Sequence, residues 1–233
     1  HYPTLEPLSD SPQTDCLWHN GGTQPEHGIQ VISELVQNFI PNLGFNPTTD
    51  VQVLCPMTRG IIGTKNLNSV LQKIVNPPNY NKNEVNRFGV TFREGDRIIQ
   101  LKNDYNKEIF NGDLGIIQTI NLLDKEMLIQ FDKREIVYDF SDLNELNLAW
   151  CVSIHKSQGS EYPVVILPLY MQHYIMLNRN LFYTGLTRAK KLAIVIGSNK
   201  VIGYTVKQVK DQLRYTRLTE RLIGNVGKMK DEV

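Results

Sequence analysis

Residues 150–169 read WCVSIHKSQGSEYPVVILPL. Trp150 to Ile154 is a short apolar run, and Tyr162 to Leu169 is a continuous one, of the length and β-branched character of strands buried on both faces. Between them stand His155, Lys156, Ser157, Gln158, Gly159, Ser160 and Glu161, more hydrogen-bonding side chains than a connector needs. Two readings of this turn stand side by side. In one, His155 and Ser157 cap a short helix and Gln158-Gly159 turns the chain; in the other, these groups face a ligand at the end of a strand, where open α/β sheets bind theirs.

Working outward, the same alternation of strand, loop and helix recurs. Val51 to Pro56 is a strand ended by proline, and Leu67, Val70, Leu71 and Ile74 form one helical stripe over Asn66 to Val75. The loop Met57 to Lys65 holds Arg59, Gly60 and Gly63 but lacks the Gly-x-x-x-x-Gly-Lys-Ser/Thr spacing whose amides wrap phosphates. Upstream, Ile29, Ile32, Val36, Phe39 and Ile40 predict an amphipathic helix from Glu26 to Ile40, stopped by Pro41. The first 24 residues, with clustered prolines and glycines, read as a leader running over a surface. Downstream, Asn180 to Lys190 predicts a helix, Leu192 to Ile196 a strand, and Val206 to Ile223 a basic terminal helix.

From about residue 85 to 145 the period changes to two. Arg97–Leu101, Gly115–Ile120, Met127–Phe131 and Ile136–Phe140 are short strand-like runs, separated by turn signals such as Asn111-Gly112-Asp113. Lying between α/β segments, they predict a small antiparallel barrel inserted into a larger α/β domain.

The composition, 41% hydrophobic and 21% charged over 233 residues, excludes disorder and collagen. The three cysteines, Cys16, Cys55 and Cys151, are odd in number and far apart, which suits buried thiols better than a disulfide framework or a zinc site. No apolar run approaches the roughly 18 residues of a membrane span, so a soluble, cytoplasmic protein without a membrane partner is expected. The net charge of +1 hides an asymmetry: residues 1–150 carry 12 Lys/Arg against 19 Asp/Glu, residues 151–233 carry 13 against 5. Such a basic third either meets a polyanion or merely keeps the protein soluble.

The segment Tyr183 to Lys191, YTGLTRAKK, adds an arginine, Arg188, that a helix would put on one face with Thr184 and Thr187. An always-charged guanidinium there suits a nucleotide γ-phosphate or, alternatively, an ordinary surface ion pair. Val51 to Asn68, Gly95 to Gly115 (GDRIIQLKNDYNKEIFNGDLG), His155 to Glu161 (HKSQGSE) and Tyr183 to Lys191, taken in order, closely resemble the carboxyl-terminal motor region of RecD/TraA-type DNA helicases of superfamily 1.

The resemblance implies an α/β fold: a RecA-like second motor domain of the P-loop NTPase type with an inserted SH3-like β-barrel. It divides the chain into 1–84, the leader and first part of the motor domain, 85–145, the barrel, and 146–233, the remainder with motifs V and VI. By position, Arg59 resembles the arginine of motif IV and Arg188 that of motif VI, both implied to be catalytic contacts to ATP phosphates. Gln158, Gly159 and Glu161 are implied to face the nucleotide, Glu161 at the ribose, and His155, Lys156 and Ser157 to face single-stranded DNA. Lys102, Asn103, Tyr105, Lys107 and Asn111, around one hairpin of the insertion, offer an edge expected to touch the strand; alternatively Tyr105 and Asn111 merely shape the turn.

The implied activity is ATP-dependent 5′ to 3′ translocation on single-stranded DNA or at a duplex junction, with Mg2+ as the ATP cofactor. The sequence departs from the complete motor in one respect: it holds no phosphate loop, and its only Asp-Glu pair, Asp231-Glu232, follows no apolar strand. The expectation is a fragment, inactive alone, whose phosphate loop and magnesium ligands lie upstream in the first motor domain of the same polypeptide. An ATP-independent nucleic-acid-binding module, and the motor subunit of an ATP-dependent exonuclease with nuclease partners, are the alternatives.

Overall fold

The computed structural model describes residues 6–9 and 14–209. Along the chain its elements are β1 (Glu6–Pro7), β2 (Cys16–His19), α1 (Pro25–Glu34), a π turn (Leu35–Phe39) running into α2 (Ile40–Asn42), β3 (Val51–Cys55), α3 (Thr64–Val75), β4 (Glu84–Arg87), β5 (Val90–Arg93), β6 (Arg97–Gln100), β7 (Leu114–Asn121), β8 (Glu126–Phe131), β9 (Arg134–Asp139), β10 (Leu146–Leu148), β11 (Cys151–Ser153), β12 (Tyr162–Pro168), α4 (Arg179–Leu186), β13 (Ala189–Ile196) and α5 (Asn199–Lys207).

Six strands form one sheet in the order β1-β2-β13-β12-β3-β11, and every pair in it is parallel. Parallel strands need both faces covered, and the side-chain alternation supplies this. Val53, Val164, Ile166 and Ile194 share one apolar cluster with residues of α1 and α3. Leu54, Val165, Leu167 and Val195 join another with Leu181 and Phe182 of α4 and Val201 and Ile202 of α5.

A second sheet, antiparallel and five-stranded, is ordered β10-β6-β7-β8-β9. It is a meander whose last strand returns to pair with β6. A single 3-10 turn, Asp142–Glu145, links β9 to β10. The β4–β5 hairpin stands apart as a two-stranded sheet, its turn made by Phe88 (φ 53) and Gly89 (φ 75), the paired left-handed conformations of a tight hairpin turn.

The two sheets meet through buried charge. Arg97, on β6 and 7% exposed, donates from Nη1 to the carbonyls of Val51 (2.7 Å) and Thr48 (3.4 Å), and from Nη2 to Gln52 Oε1 at 2.8 Å. The Gln52 amide then donates to the carbonyls of Ala149 and Trp150. Beside it the fully buried Asp96 accepts from Gln72 of α3 and Asn76 just past its end (2.5 and 2.8 Å) and from the Arg93 backbone N–H at 2.7 Å. Burial raises the Asp96 pKa against these bonds and the Arg93 charge, which lower it.

Three expectations need correction. The presumed leader supplies β2, which pairs with β13 and buries Leu17 completely, so a four-residue strand hides among turn-forming residues. Pro41 does not stop the first helix at once: the π turn Leu35–Phe39 runs on into α2, which contains Pro41 and ends at Asn42. The helix expected to reach Lys190 ends at Leu186, and Ala189 instead opens β13: the Tyr162 N–H takes the Arg188 carbonyl at 2.8 Å and claims that backbone for the sheet. The last described helix is α5, capped by the Ser198 hydroxyl accepting from Val201 N–H. It ends at Lys207; of the terminal helix expected over Val206 to Ile223, residues 210 onward lie outside the described residues, as does the Asp231-Glu232 pair.

Arg97→Met would fill the same space while leaving Val51, Thr48 and Gln52 without their donor. The expected loss is roughly 2–4 kcal/mol, read as a lower urea midpoint with an unchanged slope.

Candidate functional site

The candidate residues fall at two opposite edges of the parallel sheet. Arg188 immediately precedes β13 and Glu161 immediately precedes β12, which puts both at the amino edge. Arg59 follows β3, and His155 and Lys156 follow β11, the neighbour of β3, which puts these three at the carboxyl edge.

At the amino edge, α4 begins under Asn178, whose Oδ1 accepts from Leu181 N–H at 2.8 Å. It lies close on the sheet because Gly185 has no side chain: a Cβ there would come within 3.0 Å of Leu167 Cδ1. Just past its end, the half-buried Arg188 donates from Nε to the Thr184 carbonyl (3.2 Å), from Nη1 to the Ser160 carbonyl (3.1 Å) and from Nη2 to Thr187 Oγ1 (3.2 Å). Arg188 is therefore not a helix-face residue, as its spacing predicted, but a clasp between α4 and the turn before β12. Glu161 pairs with Lys190 at 3.4 Å with both side chains more than half exposed, a contact of little energetic weight. Tyr162 lies within electrostatic reach of both Arg97 and Arg188; burial raises its phenol pKa, and the two cations oppose that.

At the carboxyl edge the Arg59 loop is held by its own backbone and by buried groups. Thr64 N–H donates to the Met57 carbonyl at 3.0 Å, and a Cβ on Gly63 would stand 2.5 Å from the Arg59 carbonyl, so only glycine fits there. The Cys55 thiol donates to the Ile62 carbonyl at 2.9 Å. Burial pushes that thiol up to about 12 and the Cys151 thiol well above its ordinary value, so both stay protonated. His173, fully buried, accepts from Tyr170 N–H through Nδ1 and makes a hydrogen bond with the Ile62 backbone. Arg59 itself is exposed, in a loop with exposed Ile61, and Gly60 lies beside Gln172 next to exposed Met171 and Tyr174. The structure does not bring Arg59 and Arg188 together: at least a strand length, about 15 Å, separates the two edges.

The turn after β11 is a 3-10 helix, Ile154–Ser157, capped by the Ser153 hydroxyl, which accepts from Lys156 N–H. Its threefold period turns Ile154 and Ser157 inward and His155 and Lys156 outward. Ser157, expected to face a strand, is instead fully buried and donates back to the Ile154 carbonyl at 2.7 Å. Gln158 and Gly159 are exposed, and Gly159 adopts φ +87. Gln158, with Ser160, joins His155 and Lys156 in lining a cavity instead of standing beside Arg188. Surrounding protein lowers the Lys156 pKa by desolvation.

On the insertion, Lys102 reaches Glu145 at 3.9 Å, while Tyr105 is 74% exposed and meets Phe110 edge to face, centroids 6.1 Å apart. Phe110 escaped notice in the sequence, its ring partner standing five residues away. Ser160, one of the polar groups of the turn, offers its backbone carbonyl to Arg188. Among the described residues no group of three or more His, Cys, Asp or Glu could hold a metal ion.

The ATP-dependent RecD-like DNA helicase SH3 domain family matches residues 67–131, and the UvrD-like helicase C-terminal domain family matches 148–196. The chain is 36% identical over 172 residues to the ATP-dependent RecD2 DNA helicase of Deinococcus radiodurans, covering 74% of this chain and 23% of that one. It is 29% identical to the RecBCD enzyme subunit RecD of Buchnera aphidicola, covering 82% of this chain and 30% of that protein. The chain thus spans 23% and 30% of these relatives' length. A crystal structure of Pif1 helicase from Bacteroides in complex with ADP-AlF3 and ssDNA superimposes with TM-score 0.51 at 19% identity, over 90% of this chain and 51% of that one, which shows a shared RecA-like fold. The two sheets are those of a helicase motor domain bearing an SH3-type insertion. By sequence the chain is similar to RecD-type helicases and carries matches to their SH3 domain and to a UvrD-like helicase carboxyl-terminal domain.

Burial lowers the His173 pKa from 6.5 to about 4, against the bond to Ile62, which raises it. The unfolded chain then binds the extra proton across that window and the folded chain does not, so this stabilisation is complete above pH 6.5 and is lost as pH falls towards 4. The loss amounts to roughly 3 kcal/mol. Urea unfolding at a series of pH values should give a shallower acid slope for His173→Gln than for the wild type.

Proposed function

We propose that this chain is the arginine-bearing half of an ATP-dependent DNA helicase motor, working against a first RecA-like domain that carries the phosphate loop. The observation that carries the reading is the setting of Arg188. It is a half-buried guanidinium at the amino edge of the sheet, held by three acceptors of its own chain and beside Glu161. A group so placed can move a short distance to a nucleotide phosphate in an opposing domain, and contacts made only when the domains close turn ATP binding into motion.

The residues fit one side of a nucleotide site. Arg188 supplies charge for the phosphates and Glu161 an acceptor for the ribose, whereas the magnesium ligands must come from the opposing domain. ATP with Mg2+ supplies the hydrolysis that powers the cycle. Arg59, expected at the same phosphates, is better placed for the strand. It lies on the carboxyl edge with exposed Ile61, and it shares with His155 and Lys156 the edge that we assign to DNA. The division into 1–84, 85–145 and 146–233 is carried forward, with β10 lending its residues to the inserted sheet. Movement from 5′ to 3′, a chain inactive without its upstream domain and a cytoplasmic site of action belong to the same proposal. Among the described residues no helix is long and apolar enough to cross a membrane.

A second reading rests on the Buchnera relative, whose name is that of a subunit of the RecBCD enzyme. In it the same motor acts beside nuclease partners.

The deciding measurement is ATP turnover, with and without single-stranded DNA, for residues 1–233 and for a polypeptide extended through its phosphate-loop domain. We expect no turnover from residues 1–233, and DNA-stimulated turnover from the longer protein that falls at least about a hundredfold in Arg188→Ala. Turnover by the short chain, or an unaffected Arg188→Ala, would refute the proposal.

A further inference from the structure

An apolar groove of about 580 Å³ runs beside α4, on the face of the parallel sheet that α4 and α5 cover. Its walls are Phe182 and Leu186 of α4 and Val206 of α5, and its floor is Ala189 and Ala193 of β13 with Cys16 of β2. The floor is low because two alanines stand where the same face carries Val165, Leu167 and Val195 elsewhere. A parallel sheet needs cover on both faces. On its other face β2 has that cover, with Leu17 wholly buried, whereas on this face Cys16 and Trp18 stay partly exposed and Tyr183 of α4, beside the groove, is 68% exposed.

The chain itself is delivered to this groove. α5 ends at Lys207, just past the wall residue Val206, and the Gln208 carbonyl accepts from the Arg179 N–H at 2.9 Å, at the head of α4 where Arg179 borders the opening. The sequence that continues from there places Tyr215, Leu218, Leu222 and Val226 three, four and four residues apart, the spacing of one apolar helical stripe, with Arg214, Arg217 and Arg221 in a second row beside it. On a helix the apolar stripe would extend about 16 Å, enough to run the length of α4, whose eight residues extend about 12 Å. The charges at the groove allow a basic helix to approach. Lys190 is paired with Glu161, Lys191 lies 5.8 Å from the Phe45 ring centre, and Asp15 offers a carboxylate at the β2 side.

We propose that this groove is the seat of the chain's own continuation, residues 211–226, with Tyr215, Leu218, Leu222 and Val226 packed onto α4 and the alanine floor and the arginine row turned to Asp15 and solvent. The basic stretch that neither the nucleotide site nor the strand track uses is then a third helix on this face, and it completes the cover of β2. This packing goes beyond the helicase reading and does not depend on it.

The test takes Cys16, on the groove floor, as a reporter in the 233-residue chain. Cys55 and Cys151 are buried, so in a folded chain their thiols stay unlabelled and any reaction there signals unfolding. Pulse alkylation with N-ethylmaleimide, read by mass spectrometry of the cysteine peptides, should find Cys16 slow in the wild type. The double variant Leu218→Asp, Leu222→Asp should speed it at least about tenfold with Cys55 and Cys151 still unlabelled. Arg217→Gln, on the polar row, should match the wild type. An unchanged Cys16 rate in the double variant would overturn the proposal. Should the double variant label Cys55 and Cys151 as well, Leu222→Cys decides: a short bis-maleimide should join it to Cys16 within one molecule, at a yield independent of protein concentration. Absence of that link would overturn the proposal, and so would a link only between molecules that grows with concentration, which would give the groove to a second copy.

Discussion

The structure depends on a cation that has no business in an apolar joint unless every one of its neighbours is an acceptor. Arg97 leaves the inserted sheet and ends among the Val51 and Thr48 carbonyls and the Gln52 amide oxygen, at the start of the strand that leads to Arg59. Burial lowers its pKa, but a guanidinium starts so high that it stays charged. A buried charge is tolerated only when hydrogen bonds replace its lost water. That requirement fixes the position of β6 against β3, and with Asp96 gripping α3 from the other side it leaves the insertion little freedom to rock.

This rigidity gives the two edges of the sheet their meaning. In a parallel sheet all strands begin on one side and end on the other, so residues that precede strands and residues that follow them face different surroundings. Arg188 and Glu161 belong to the first group, Arg59, His155 and Lys156 to the second. The turn from His155 to Glu161 crosses from one to the other within seven residues, and Ser160 faces both ways: it lines the cavity while its carbonyl accepts from Arg188.

Much of this was legible beforehand. The apolar runs of β3 and β12 declare buried parallel strands, and the period-two runs with their Asn-Gly and Glu-Gly-Asp turns declare the inserted sheet. What escaped did so for physical reasons. β2 is only four residues long and sits among glycines and prolines; its strand character comes from pairing with β13 and not from its own pattern. The stretch Thr187 to Lys191 has helical spacing, but a ladder to Tyr162 claimed its backbone, which moved Arg188 off the helix. Ser157 has the chemistry of a ligand contact, yet it stands three residues after the buried Ile154 in the 3-10 turn and is buried with it. The separation of Arg59 from Arg188 is a property of topology, which no local motif carries.

The path of the chain also bears on how such a molecule could arise. β3 and β11 are neighbouring parallel strands, and everything from β4 to β10 lies on the return between them, after α3 has already covered the sheet. The return ends where Asn68 of α3 exchanges two hydrogen bonds of 2.8 Å with the backbone of Cys151. The register of the parallel pair is therefore set by α3 and by the strands themselves, whatever length of chain intervenes. An ancestral crossover could lengthen at this one point, acquire a folded accessory, and exchange it for another without disturbing the order of the strands around it.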